Sequence, residues 1–316
     1  MGAVDEVTYG TGVTVTRFYE LAKEGIEGKY ERIESEAQQT GYRVLAASRF
    51  AHNPKGAEGS LDLEVLDKGF AFWFKHMLGN VSAGTKGADN MTPFTATLGD
   101  LSGKSFTLEV GRVDAAGALT AFQYAGGKVG SWEITNEVDG VLNLSLDLVF
   151  SKETPRTTTL PTVTYPAGSR LFTYLGGTFT LDGSSIAVNE VSVKCDNGLK
   201  DDRWSIGLGR REPKEEKLRE IEFELKGDFE NTTVFNKVAS GATGALVLVW
   251  AGVAPDPAKP AEVPTLTITM PYARFDEAPP NVEAGKLSEQ SMSGKALAST
   301  ATDAITIVYK SLDTAA

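Results

Sequence analysis

Thirty-three glycines, spread along 316 residues, leave this chain little room for long helices. With Asp, Asn and Ser they cut it into short pieces in which apolar and polar residues alternate. Ser105–Val110 reads SFTLEV, Gly130–Ile134 GSWEI, Val141–Phe150 VLNLSLDLVF, Gly177–Leu181 GTFTL and Glu190–Val193 EVSV. Glu220–Leu225 (EIEFEL), Ala245–Trp250 (ALVLVW), Thr265–Met270 (TLTITM) and Ala304–Tyr309 (AITIVY) continue the pattern. Successive side chains of a strand point to opposite faces, so this alternation buries one face and wets the other. The β-branched and aromatic residues suit the same pleated surface. The sequence predicts a mainly β fold of half-buried antiparallel strands.

Two segments carry a helical period instead. In Lys68–Gly79, Phe70, Trp73, Phe74 and Met77 stand at i, i+3, i+4 and i+7, and Gly79 is placed to end the helix. In Asn231–Gly241, Val234, Phe235 and Val238 share a face, with Asn231 or Thr232 as the N-cap. Tyr30–Gln39 has helix-forming composition without apolar periodicity and reads as loop or irregular strand.

The two helices sit in similar surroundings. Each follows an alternating strand, Ser60–Val65 or Glu220–Leu225, then an acidic turn, and each is followed across a loop by another alternating strand. Leu61 to Gly79 and Phe223 to Gly241 are both 18 residues apart. Identity between the halves is weak, so order and spacing carry the reading of two tandem units: residues 1–155 with an N-terminal arm, and residues 156–316. Lys152–Pro166 (KETPRTTTLPTVTYP) reads as the linker between them. Arg43–Gly59 and Asp196–Lys217 occupy comparable places before each strand–helix pair and read as ordered contact loops, since both carry arginine and an aromatic among glycines. Ala251–Pro264 reads as a surface excursion.

Lys and Arg number 31 against 42 Asp and Glu, a net charge of −11. A protein that grips nucleic acid needs cations to displace counterions, so this balance argues against that class. It leaves open a surface that nucleic acid slides past. The one cysteine, Cys195, makes no intrachain disulfide and fits a reducing compartment. No apolar run approaches the roughly 18 residues of a membrane-spanning helix, and Met1–Gly12 lacks the apolar core of a secretory signal.

Catalytic signatures are missing: no G-x-S-x-G elbow, H-E-x-x-H pair, P-loop or strand-linked G-x-G-x-x-G occurs. Of the two histidines, His76 lies on the first helix and reads as a packing or surface residue, and His52 as a loop contact. Asp196, Asn197, Asp201 and Asp202 cluster in DNGLKDD but lack the spacing of a calcium loop, and Asp196-Asn197-Gly198 suits a turn. The expectation is no catalytic residue, no metal and no cofactor. Trp73, Trp132 and Trp250 fall in predicted core elements, whereas Trp204, beside Arg203 and near Arg210 and Arg211, looks like an interface anchor.

Several long strings point further. Glu6–Leu21 (EVTYGTGVTVTRFYEL), Glu31–Gly79, and Asp196–Trp204 (DNGLKDDRW) with Glu212–Glu230 resemble the tail tube, or major tail, proteins of long-tailed bacteriophages. The resemblance extends to ITIVYKSLDT near the C-terminus and covers nearly the whole chain. It implies a structural virion protein with a tail-tube β-sandwich or half-barrel fold and one flanking α-helix per unit. Such chains form rings around a lumen, and neighbouring subunits complete one inner β-barrel. Two units per chain imply a trimer with pseudo-sixfold symmetry, and one unit a hexamer. The implied partners are further copies of the chain, a tape-measure protein, tail-end proteins and phage DNA passing without specific binding, with no membrane. Assembly would take place in the bacterial host cytoplasm.

On this reading Tyr9, Arg17, Phe18, Arg43, Arg49, Phe50, His52, Arg203, Trp204, Arg210 and Arg211 are expected at contacts between subunits or rings. The arm Thr8–Phe18 is expected to lie on a neighbouring subunit, and Glu109, Glu133, Glu137 and Asp147 to face the lumen. Two other classes fit a β-sandwich. One is a carbohydrate- or receptor-binding module or adhesin of a virion; the other is a hydrolase using paired carboxylates.

Overall fold

A computed structural model describes residues 1–37, 39–156, 161–281, 287–299 and 303–315. Its strands form two layers around one core. The first layer is a sheet ordered Glu27–Glu34, Phe50–Glu64, Asn143–Phe150, the second half of Leu119–Glu137, Glu190–Asp196, Glu220–Asp228, Glu289–Ala296 and the end of Thr265–Glu277, every neighbour antiparallel. The alternation read from the sequence sets its two faces. Leu61, Leu63, Leu144, Leu146, Trp132, Ile134, Val193, Phe223 and Leu225 point inward and are buried. Their polar neighbours point the other way.

The second layer has two parts. One is Arg17–Phe18, Gly2–Asp5, Phe106–Val113, the first half of Leu119–Glu137 and Lys152–Arg156. The other is Ser184–Ser185, Gly177–Leu181, Gly244–Ala251, the first half of Thr265–Glu277, Thr306–Ser311, Thr92–Leu98 and Gly79–Ala83. The long strands Leu119–Glu137 and Thr265–Glu277 thus belong to both layers. Each bends at a register shift: around Gly126 (φ 73°) in the first, and at Pro271 in the second, where Leu246 faces Met270 and Gly244 faces Ala273. A bulge re-aims a strand, which lets one chain segment turn the corner between layers.

The same connectivity occurs twice. Phe50–Glu64, α1 (Ala71–Leu78), Phe106–Val113, Leu119–Glu137, Asn143–Phe150 and Lys152–Arg156 follow one another with the pairings just given. Glu220–Asp228, α2 (Thr233–Ser240), Gly244–Ala251, Thr265–Glu277, Glu289–Ala296 and Thr306–Ser311 repeat that order and those pairings. The hairpin Gly79–Ala83/Thr92–Leu98 has no counterpart after α2, where Gly241 leads almost directly into Gly244–Ala251. Inside the chain the two sets meet where Ser131–Glu137 pairs with Asp196–Glu190.

Both helices end as their glycines predict. Gly79 (φ 97°) and Gly241 (φ 68°) adopt the left-handed conformation and donate to the carbonyls of Lys75 and of Lys237 and Val238. Asn231 Oδ1 accepts from Thr233 N at 2.9 Å, as its place before α2 predicts. Their burial differs. In α1, Ala71 to Phe74 and His76 to Leu78 are all buried, well beyond one stripe, whereas in α2 only Val234 is.

Two predicted loops are corrected. Lys152–Arg156, the start of the expected linker, is a strand opposite Ala125–Ala121. Its β-branched Thr154 suits a strand, and Pro155 is tolerated because the far edge of this strand carries no ladder among the described residues. Residues 157–160 of the same stretch lie outside the description. Likewise Phe50–Gly59, read as loop from HNPKG, is the start of a fifteen-residue strand.

His76 shows what the burial of α1 does to a titratable group. Its Nε2 lies 2.9 Å from Asp5 Oδ1 and its ring packs edge-on to Phe72 and Phe106. Burial pushes the imidazole below its ordinary 6.5 and outweighs the pull of Asp5, so the neutral ring donates its Nε2–H. Partial burial raises the Asp5 carboxyl, but hydrogen bonds from His76 and Lys75 (2.9 Å) outweigh it and hold it well below the usual carboxylate range. A depressed pKa contributes stability above the unfolded value and loses it as the pH falls, because the unfolded chain then binds the extra proton. Stability should therefore drop as pH is lowered through about 6.5. In His76→Gln, which still donates to Asp5, that step should vanish from urea midpoints measured between pH 7.5 and 5. A step unchanged in the variant would assign the titration elsewhere.

Candidate functional site

The polar face of the first sheet presents one broad surface of similar chemistry. Its outward positions read Glu58, Ser60, Asp62 and Glu64, then Asn143, Ser145 and Asp147, then Ser131, Glu133, Thr135 and Glu137. Across the junction they continue as Glu190, Ser192, Lys194 and Asp196, then Glu220, Glu222, Glu224, Lys226 and Asp228, then Glu289, Ser291, Ser293 and Lys295. Thirteen of these positions are acids and three are lysines.

All three lysines are held by acids of the same face. Lys194 pairs with Glu222 at 3.1 Å, Lys226 with Glu190 at 3.0 Å, and Lys295 with Glu220 at 2.8 Å and Glu222 at 3.2 Å. Hydrogen bonds from Lys194 and Lys295 hold Glu222 below the ordinary carboxylate value, and bonds to Glu220 and Glu222 raise Lys295. The remaining acids keep a strongly negative, hydroxyl-lined surface. Such a surface repels phosphate, and its three lysines are already paired with acids.

Of the four acids expected at the lumen, Glu133, Glu137 and Asp147 lie on this polar face and Glu109 does not. It is 1% exposed on Phe106–Val113 and accepts from Gln123 Nε2 at 3.0 Å, beneath the segment around Val13. Alternation in SFTLEV gave Glu109 an outward position, but the N-terminal segment covers that side. Glu190, Glu220, Glu222 and Glu224 were missed as members of the face. The signal that could have found them is the run of Glu at every second residue of EIEFEL.

The second surface is a two-stranded arm, Glu27–Glu34 with Phe50–Glu58. Beyond its base, Glu31–Glu34 and Phe50–His52 are exposed on both faces, as are Arg43 and Arg49 in the connection between them. Tyr30, Ile33, Tyr42, Val44, Leu45 and Phe50 are large apolar residues left in solvent there. His52 stacks on Tyr30 with centroids 5.5 Å apart and its Nδ1 lies 3.1 Å from Arg32.

Asp196–Lys217 folds back beside the base of this arm. Arg210 donates to the carbonyls of Phe150 (2.9 Å), Lys55 (3.2 Å) and Asp201 (3.1 Å), and only 8% of its side chain is exposed. It reaches Phe150 because Gly56 (φ 91°) leaves the space open; a Cβ there would stand 2.8 Å from the guanidinium. Arg203 donates to Glu212 O at 2.6 Å, whereas Arg211 is exposed. Trp204 lies between Lys55 (4.5 Å) and Arg210 (5.9 Å) and remains 41% exposed beside exposed Ile206 and Leu208. Of DNGLKDD, Asn197 is buried and donates to Val129 O, Asp196 accepts from Gly198 N as in a turn, and Asp201 faces Arg210.

The expected N-terminal contacts turn inward. Tyr9 packs against Gly126 and Ser151, and burial pushes its hydroxyl up to about 12. Arg17 lies 5.5 Å over the Phe72 ring, Phe18 is 6% exposed, and Val13 N donates to Thr107 Oγ1 at 3.1 Å. Thr8–Phe18 therefore lies along its own sandwich, where Val15 and Phe18 find apolar cover without a neighbour.

Among the described residues no three His, Cys, Asp or Glu side chains gather in the manner of a metal site. No helix among the described residues is long and apolar enough to cross a membrane. A search of curated proteins gives no match to the chain. A family model described as phage tail tube protein matches residues 1–296. With that match spanning most of a mainly β, two-layered chain, the protein belongs to the phage tail tube family and is a structural component of the virion.

Proposed function

We propose that this chain is the ring-forming subunit of a phage tail tube and that its acidic sheet lines the lumen through which the genome passes. The observation that supports this most directly is the junction of Ser131–Glu137 with Asp196–Glu190. It joins the two repeated sets of strands into one continuous sheet with a uniform acidic face. Among the described residues the sheet still ends in two edges, Lys23–Glu24 with Glu27–Glu34 on one side and the end of Thr265–Glu277 with Pro280–Asn281 on the other. An open edge invites another strand, and pairing it with a second copy closes a ring.

The repeated order supports two tube units per chain, near 1–155 and 156–316, and hence a trimeric ring with six similar sectors. The exposed arm, with Arg43, Arg49, Phe50 and His52, and the tip bearing Trp204 and Arg211 are suited to contact the next ring. A free two-stranded hairpin gains little stability alone, so its apolar residues gain most by docking. A tape-measure protein would occupy the lumen before DNA, and tail-end proteins would cap the stack.

End-on class averages of negatively stained assemblies test the reading. Rings with threefold symmetry and six lobes are expected. Strict sixfold rings with a further domain outside would refute two units per chain, and a persistent monomer at high concentration would refute the tube.

A further inference from the structure

Helix α1 is buried partly by the other half of its own chain. Phe74 stands edge-on to Tyr309 with centroids 5.5 Å apart, Tyr309 Oη donates to Leu66 O at 2.9 Å, and Ser311 Oγ donates to Asp67 O at 2.7 Å. The strand that covers α1 is thus Thr306–Ser311, the last of the second set. This strand is paired on both sides, by Thr265–Thr269 and by Thr92–Thr97.

Among the described residues, the counterparts of these two partners each keep one side uncovered. Helix α2 occupies the place of α1, yet Phe235, one residue before the counterpart of Phe74, is 46% exposed, and Asn236 and Ala239 are exposed with it. Lys152–Arg156 occupies the place of Thr306–Ser311, yet it pairs on one side only among the described residues. The hairpin Gly79–Leu98, which straps the inner junction, is present after α1 and absent after α2.

We propose that the bare face of α2, centred on Phe235 and Asn236, receives the Lys152–Arg156 edge of a second copy of this chain. The occupant follows from the repeat: inside the chain the equivalent helix is already covered by the equivalent strand. It follows that a ring contains two kinds of seam, one strapped and within a chain, the other unstrapped and between chains, where α2 and the open edge carry the outer-layer contact. This rests on the ring-forming reading given above.

Two experiments on the full-length chain test it. A photo-cross-linking amino acid replacing Asn236 should join, in assembled rings, to residues 150–156 of another copy. Capture confined to its own chain, or to the arm Glu27–Glu58, would overturn the proposal. Phe235→Asp places a charge on an already exposed position, so the monomer should keep its circular dichroism and melting behaviour. Its yield of rings should fall about tenfold or more, as for loss of a buried interface aromatic. Native rings with unimpaired Phe235→Asp rings would overturn the α2 contact alone, whereas no rings from the native chain in any condition would overturn the ring-forming reading and this proposal with it.

Discussion

Replacing Glu6 with Ala should cost about 3–5 kcal/mol of folding stability, the largest loss expected from any single polar side chain here. Glu6 is 7% exposed and its carboxylate accepts four hydrogen bonds. Ser105 Oγ and Gly10 N donate to Oε2 at 2.8 and 3.0 Å, and Thr107 Oγ1 and Gly126 N donate to Oε1 at 2.8 Å each. Ser105 and Thr107 are themselves buried, and Gly126 marks the bend where Leu119–Glu137 passes between layers. Alanine leaves three buried donors on one spot, each costing roughly 1–3 kcal/mol when unpaired. Glu6→Gln keeps one acceptor oxygen and should lose about half as much. Urea midpoints of both variants at pH 7.5 give the comparison. A loss below about 1 kcal/mol for Glu6→Ala would mean that water or rotated hydroxyls satisfy these donors.

The elements that the sequence displayed most clearly are those whose two faces differ chemically. Asn143–Phe150, Glu190–Asp196 and Glu220–Asp228 each bury one side and wet the other, so alternation located them and named their faces. The bent strands were legible only in part. Gly126-Gly127 and Pro271 look like breaks, and they are bends inside strands of nineteen and thirteen residues. The exposed arm was hidden for a different reason. A hairpin wet on both faces has no alternation to show, and His52, Asn53, Pro54 and Gly56 resemble a loop.

Site residues divide along the same line. Glu133, Glu137 and Asp147 sit on strands whose polar side is open, so their direction could be read from neighbours. Glu109 sits on a strand covered from both sides, and the cover comes from the N-terminal segment far away in sequence. Arg210 and Arg17 were legible as contact-forming cations but not by partner. Each found its partners, Phe150 O and the Phe72 ring, within the same chain. Pattern shows what a side chain needs, and only the fold shows who supplies it.

Tubes assembled from the triple variant Glu64→Lys, Glu137→Lys and Asp147→Lys should retain duplex DNA that native tubes release. All three residues are exposed on the acidic face, where substitutions away from buried contacts cost roughly 0.5 kcal/mol or less. Each change replaces −1 by +1 at a strand position facing the proposed lumen. Repeated around a ring and along a stack, the lysines would present DNA with a succession of phosphate contacts. A protein making about 6–10 such contacts loses roughly 10³–10⁵ in affinity between 50 and 200 mM salt, so retention should be strong at low salt and vanish at high salt. Native tubes should bind no DNA at either. Nuclease resistance distinguishes DNA held inside from DNA on the outer wall. A control with Glu36→Lys, Asp202→Lys and Glu216→Lys, exposed acids away from this face, should retain only DNA that nuclease can digest. Salt-sensitive, nuclease-protected DNA in the first variant alone would place the acidic sheet at the lumen, and protected DNA in the control with none in the first would place it on the outer wall.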